Sequence, residues 1–327
     1  MRFDMRAPGK DAAARAALYR AALDMAAWAD TRGCASIVIS EHHASDDGYL
    51  PSPFPMAAAM AAVTVNSPIV IAAALLPLYD SVRLAEDMVV VDHISGGRCM
   101  FVLAVGYRPV EYELHGVDYE QRGRIADEKL TALLDALRSA SDGTATAPLL
   151  TPAPFTPGGP LIAWGGGTKV AARRAGRFGV SFFAQTDRQG LKEAYEEASR
   201  VAGHEPGMCI LPSPGAPLSV FVNDDLDAGW EEVGPSLLAD AVPYFDWNEA
   251  AGSADYTASL SRARTVEELR KEHGSHRVLT VPEAVDIIQT HGMLSLQPLC
   301  GGLDPDVAWP YLHRVVDDVV PALGGAG

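Results

Sequence analysis

The chain has 327 residues, 48% of them hydrophobic, which is enough to bury the core of one α/β barrel or of two ordinary domains. Its 42 acidic residues outnumber 26 basic ones, and the net charge of −16 is spread without a basic run, which argues against nucleic acid and anionic membranes as partners. The longest apolar stretch, residues 69–78, is far short of a bilayer span, and the Ala-rich start is cut by Asp11, Arg15, Arg20 and Asp24. Neither a signal peptide nor a transmembrane helix is expected, and the protein is placed in the cytoplasm.

In chain order, residues 2–5 read as a first strand and the apolar run at 36–40 as a second. The second strand runs into Glu41-His42-His43 and then the polar loop Ser45-Asp46-Asp47-Gly48. A lone histidine at a strand end is usually structural. Two adjacent imidazoles beside a carboxylate, where α/β folds place their chemistry, point instead to proton transfer. The third strand, residues 69–76, contains Ala72-Ala73-Ala74, small enough to let a flat ligand lie against the backbone, although alanine is also ordinary core filler. Arg83, Glu86 and Asp87 have the spacing of a helix-surface ion-pair group. The fourth strand, 99–105, leaves through Gly106-Tyr107-Arg108-Pro109, with Glu111 following.

Leu130, Leu133, Leu134 and Leu137 mark one face of a helix, and the Pro- and Gly-rich segment 139–160 reads as an extended loop. The fifth strand, 161–164, is followed by Gly165-Gly166-Gly167-Thr168 and a helical segment over 169–177. Glycine lets backbone N–H groups approach an anion at a helix start, with Arg173 and Arg174 nearby, yet a glycine run is often only a tight turn. Strands follow at 180–183, 218–222 and 294–299, with helical faces at Leu191, Tyr195, Ala198 and Ala202 and at Leu312, Val315, Val316 and Val319. Residues 243–277 have no clean period and read as an insertion that forms a lid. Strands alternating with helices imply a parallel sheet, and eight such units favour a single (β/α)8 TIM barrel over residues 1–327. Cys34, Cys99, Cys209 and Cys300 show no metal or redox spacing and read as reduced thiols in or near the core.

Four stretches, SEHHASDDGYLPSP from Ser40, LPLYDSVRLAEDMVVVDHISGGR from Leu76, GYRPVEYELHGVDYEQRGR from Gly106 and WGGGTKVAARRAGRFG from Trp164, make the chain resemble the luciferase-like flavin-dependent monooxygenases. PLCGGLDPDVAW from Pro298 adds a weaker match. The resemblance implies a TIM barrel, a homodimer, and reduced FMN from a separate flavin reductase, used with oxygen to oxygenate a small organic substrate through a flavin peroxide. It places a base at His42, with His43 and Glu41 as neighbours, a carboxylate at Glu111, and a non-prolyl cis peptide under the isoalloxazine ring at Ala72-Ala73. Glu41, Val105, Gly106, Tyr107 and Arg108 would lie beside the cofactor, His43 would share the catalytic role with His42 and Glu111, and Gly165, Gly166, Gly167 and Thr168 would hold the phosphate.

One departure shifts weight onto that glycine run: bacterial luciferase has a phosphate-binding arginine at the end of the fourth strand, where this chain has Val105. The family's deazaflavin-dependent members share the glycine pattern, so a hydride-transferring oxidoreductase with a deazaflavin coenzyme is the second reading. A non-catalytic subunit that keeps the fold is a third. A metal-dependent hydrolase built on His42, His43 and Glu111 or Asp92 is disfavoured, because adjacent residues on a strand point to opposite faces and no His-x-His pair is present. No metal ligand is assigned.

Overall fold

A computed structural model describes residues 1–142, 150–252 and 261–324. The elements are β1 (Arg2–Phe3), α1 (Ala12–Asp30), β2 (Ile37–Ile39), α2 (Pro53–Val63), β3 (Ile69–Leu75), α3 (Ser81–Ser95), β4 (Cys99–Ala104), α4 (Pro109–Leu114) and α5 (Arg122–Asp142). They continue with β5 (Leu161–Gly166), α6 (Lys169–Phe178), β6 (Ser181–Ala184), α7 (Leu191–Val201), β7 (Cys209–Ile210), β8 (Ser219–Val222), α8 (Leu226–Ala250), α9 (Val266–Glu272), β9 (His276–Leu279), α10 (Val281–His291) and α11 (Pro305–Arg314). Strands β1 to β7 follow chain order in one sheet, and β8 pairs with β9 in a second. From β3 to β7 each neighbour runs parallel, as the intervening helical crossovers require.

The caps are written into the sequence. Asp11, Asp80, Thr168 and Asp225 accept N–H groups at the starts of α1, α3, α6 and α8, and Thr265 with Glu268 and Thr280 with Glu283 form capping boxes. Gly96 and Gly179 close α3 and α6 in the left-handed conformation.

The chain packs as two compact units, one made of Val38–Ala44 and Pro51–Pro212, the other of Met1–Ile37, Ser45–Leu50 and Ser213–Gly327. In the first unit Val70, Met100, Val102 and Ala163 form one apolar cluster. The strand register puts Ala72 opposite Val102 and Val102 opposite Ala163, so one face of the sheet is apolar across three strands. Val38, Ala72, Ala73, Phe183 and Ile210 extend that face and stay partly open. Arg83 pairs with Glu86 and Asp87 as the spacing predicts. Asp92, the alternative metal ligand, instead takes the Thr156 N–H and hydroxyl at 2.8 and 2.6 Å.

The second unit is built around Arg6, whose side chain is fully buried. Its guanidinium carbon lies 4.8, 4.3 and 4.9 Å from the ring centres of Tyr49, Tyr244 and Trp247, and its Nη1 donates to the Asp240 carbonyl at 2.9 Å. Asp240 Oδ2 is 2.8 Å from His276 Nε2, and Gln297 Nε2 donates to Asp4 at 2.8 Å and to Asp240 at 3.3 Å. Burial and the neighbouring charge of Asp240 push the Asp4 carboxyl up to about 7. Burial also opposes ionisation of Asp240, but the His276 hydrogen bond and the charge of Arg6 outweigh it and hold that group well below the usual carboxylate range. Cys99 and Cys300 are buried, Cys34 and Cys209 half-buried, and none of the four is joined in a disulfide.

Three expectations change. Residues 294–299 are not a strand. Leu296 accepts the Arg2 N–H and Ser295 the Val220 N–H, single bonds that do not continue into a ladder, so pairing draws seven strands plus two in place of eight in one ring. Two short strands unread in the sequence, β7 and β9, complete the sheets. The irregular insertion expected at 243–277 starts as helix: α8 continues through Pro235 and Pro243 to Ala250. Packing of Tyr244 and Trp247 against Arg6 outweighs the donor that proline removes. Residues 253–260 of that insertion lie outside the described residues. The loop expected at 139–160 is helical to Asp142, and its residues 143–149 are likewise outside.

Candidate active site

Every residue singled out from the sequence as a site residue lies in the first unit. The last residue of β2 is Ile39, and Glu41, His42 and His43 turn away from the strand end into the loop that follows. His42 is 8% exposed, and its Nδ1 lies 2.8 Å from Oε1 of Glu111, which α4 carries in its first turn. An ionised carboxylate only accepts, so the imidazole donates from Nδ1. The same oxygen takes the His43 backbone N–H at 3.0 Å and Arg108 Nη1 at 3.1 Å. Burial resists charge on Glu111, but the hydrogen bond and charge of His42, the His43 N–H and Arg108 together keep its pKa below the ordinary value. Oε2 of Glu111 is buried and has no hydrogen-bond partner among the described residues.

His43 faces a second carboxylate. Its Nε2 is 2.6 Å from Oε1 of Glu41, while Oε2 of Glu41 accepts the Leu75 N–H at 3.1 Å and the Tyr79 hydroxyl at 2.9 Å. The two histidines are therefore held by different carboxylates through different ring nitrogens, consistent with side chains that diverge at a strand end. Tyr107 meets the His42 ring edge-on with centres 5.6 Å apart, and His115 meets His43 at 4.6 Å.

The Ala72-Ala73 peptide is cis, and the β3–β4 register slips between Ala72 and Ala74. The slip leaves Ala72 and Ala73 both partly open on the apolar face. An added Cβ at Gly106 would stand 3.2 Å from Leu75, so glycine keeps the exit of β4 close to the end of β3. Val105 presents its carbonyl to the Tyr112 hydroxyl. Arg108 Nη1 donates to the His43 carbonyl at 2.6 Å and Nη2 to the Ala44 carbonyl at 3.3 Å, so it braces the histidine turn.

Gly165, Gly166, Gly167 and Thr168 form the end of β5 and the start of α6, where Thr168 caps the helix by accepting the Ala171 N–H. The helix start leaves backbone N–H groups directed out of the first turn, as an anion site needs. Packing also demands glycine here. A Cβ on Gly166, whose φ is 152°, would lie 2.6 Å from Cβ of Ala171, and one on Gly165 would lie 3.0 Å from Val102. Arg174 donates to Asp127 at 2.6 Å and lies over the Trp164 ring, 5.1 Å from its centre. Sequence reading missed Tyr79 and the Leu75 N–H. Tyr79 sits in the quoted LPLYDS stretch and could have been suspected, whereas a backbone donor leaves no sequence signal.

The site fits a flat, anionic, redox-active heterocycle. Two small residues on an apolar sheet face offer a shelf, a helix start after a glycine run can take a phosphate, and a buried carboxylate oxygen at Glu111 awaits a donor.

A family model described as luciferase-like monooxygenase matches residues 1–291. The chain superposes on the monooxygenase RslO1 from Streptomyces bottropensis with a TM-score of 0.73 at 18% identity, over 98% of each chain. It matches the FMN-bound oxygenating constituent of 3,6-diketocamphane monooxygenase from Pseudomonas putida at 0.68 and 18% identity, over 98% and 97%. An F420-dependent secondary alcohol dehydrogenase in complex with an F420-acetone adduct matches at 0.61 and 14% identity, over 88% and 94%. An uncharacterized Sinorhizobium fredii protein is 29% identical over 123 residues, 38% of this chain, and the match spans only 35% of that relative's own length.

Proposed function

We propose that this chain, which belongs to the luciferase-like monooxygenase family, is a two-component monooxygenase that takes reduced FMN from a flavin reductase and oxygenates a small organic substrate. The observation that carries the reading is the buried His42–Glu111 couple, tied through the Glu41-His42-His43 turn to the strand end that bears Ala72 and Ala73. Reduced flavin, when bound, activates oxygen for transfer. The protein's part is to bind, orient and move protons. Ala72 and Ala73 give the ring a surface with no bulky side chain, and the start of α6 suits the phosphate. Glu111 fixes the His42 ring through Nδ1 and stabilises its protonated form, so the proton exchanged with the reacting partner is the one on Nε2. The apolar face around Val70, Met100 and Val102 excludes water from the reaction.

The test is anaerobic titration with reduced FMN, followed by mixing with isotopically labelled oxygen and a panel of ketones, aldehydes and sulfonates. One labelled atom in a product supports the reading. Oxygen reduced only to peroxide with every substrate, or no binding of reduced FMN, would sink it.

A deazaflavin oxidoreductase is the second reading, because Arg108 is turned in toward Glu111 and His43 and position 105 is valine, which leaves phosphate binding to the start of α6. Tight binding of F420 with none of FMN would decide for it.

A further inference from the structure

Glu41 is 2% exposed, and the reaction outlined above gives it no role. Its carboxylate gathers donors from three places: the His43 ring in the loop after β2, the N–H of Leu75 at the last residue of β3, and the Tyr79 hydroxyl just beyond the turn at Leu76–Leu78. Both oxygens are used within the protein, Oε1 by the His43 ring and Oε2 by Leu75 and Tyr79. We propose that Glu41 is a positioning residue that fixes the proton of His43 on Nε2 and ties that imidazole to the end of β3, two residues beyond Ala73. This rests on the reading of the Ala72-Ala73 shelf and the histidine turn as the reacting site.

The two carboxylate–imidazole couples run in opposite senses. Glu111 holds Nδ1 of His42, and Glu41 holds Nε2 of His43. In neutral His42 the basic nitrogen is thus Nε2 and in neutral His43 it is Nδ1. One rigid turn then presents two imidazoles of opposite polarity, and Arg108 locks it by donating to the His43 carbonyl and to Glu111. Burial raises the pKa of Glu41, against the opposing effects of the His43, Tyr79 and Leu75 hydrogen bonds. Because Oε2 already faces two donors, a protonated Glu41 would carry its hydrogen on Oε1 and donate to His43 Nε2. His43 would then hold its own proton on Nδ1. The ring tautomer therefore reports directly on which arrangement is present.

The experiment uses flavin-free protein labelled with 15N-histidine, so that its result does not depend on which cofactor the site takes. Long-range 1H–15N correlation at about pH 8.5, where an ordinary imidazole is neutral, should show wild-type His43 protonated on Nε2. Glu41→Gln can keep one oxygen toward His43 but must turn its amide hydrogens toward Tyr79 and Leu75. We expect a mixed tautomer and faster hydrogen exchange of the Leu75 amide. With reduced FMN supplied in excess, kcat should fall roughly 10- to 100-fold, the scale of losing one hydrogen bond to a charged group, with little change in KM. Should Glu41→Gln fold poorly, Tyr79→Phe removes one donor from the same oxygen, and a shift in the His43 ring signals is expected. A wild-type His43 protonated on Nδ1, or ring signals and Leu75 exchange unchanged in the variants, would overturn the proposal. Absence of flavin turnover with the tautomer as expected would overturn the monooxygenase reading alone.

Discussion

Glu111→Gln tests the proposed chemistry at its narrowest point. The substitution preserves shape, and the three donors at Oε1, from His42, His43 and Arg108, force the amide oxygen to stay where that oxygen is. The amide nitrogen then takes the place of Oε2, and one buried negative charge is lost. A hydrogen bond to a charged group contributes about 1.5–3 kcal/mol and a neutral one about 0.5–1.5. Weakening the His42 bond by the difference, about 1–2 kcal/mol, corresponds to roughly a 5- to 30-fold loss in turnover. The same change makes a protonated His42 less favourable, so the acid limb of the kcat/KM profile should move to lower pH. Because Glu111 is itself held below the ordinary carboxylate range, its own titration does not produce that limb in the wild type. The assay is substrate oxidation and hydrogen peroxide release with reduced FMN in excess, across pH, alongside the FMN dissociation constant. Wild-type turnover with an unmoved acid limb would show that Glu111 does not orient the working imidazole.

His42→Ala should leave reduced-flavin binding nearly intact, lower turnover by roughly 10²- to 10⁴-fold and raise peroxide release relative to product. Wild-type coupling would make His42 structural. Ala73→Phe should weaken flavin binding at least tenfold while the folded protein retains its thermal midpoint within a few degrees, because the position is partly open on the sheet face; this is checked by fluorescence titration and calorimetry. Equal affinity would move the cofactor off this shelf. Asp4 has a folded pKa raised to about 7, so its contribution to stability is present in full below the ordinary value near 3.8 and is lost as pH rises through 7. Asp4→Asn should therefore compare more favourably with wild type at pH 8 than at pH 5 in urea unfolding. The opposite order would mean that Asp4 is not the protonated partner in the Arg6 network.

Continuous apolar runs made β3, β4 and β5 legible, because a strand buried on both faces needs no alternation and sits between clear turn signals. The same rule overreached at residues 294–299, whose apolar side chains are buried or half-buried although their backbone makes only single bonds to Arg2 and Val220. It missed β9, where His276 and Arg277 hide the pattern and the His276 ring finds its partner in Asp240, a residue of α8. The EHH turn, the small residues of β3 and the glycine run before α6 each stood out in the sequence, since each is a local pattern of residue types. Which carboxylate serves which histidine was not local. Glu111 reaches His42 across 69 positions, and Leu75 meets Glu41 through a backbone donor that no side chain announces. Arg108, read from its position as a cofactor contact, also braces the turn, a role the sequence does not announce because the carbonyls of His43 and Ala44 come beside it only in the fold. Residue types are set along the chain, but the pairing of charges is decided by which strand ends meet, and only the folded sheet determines that.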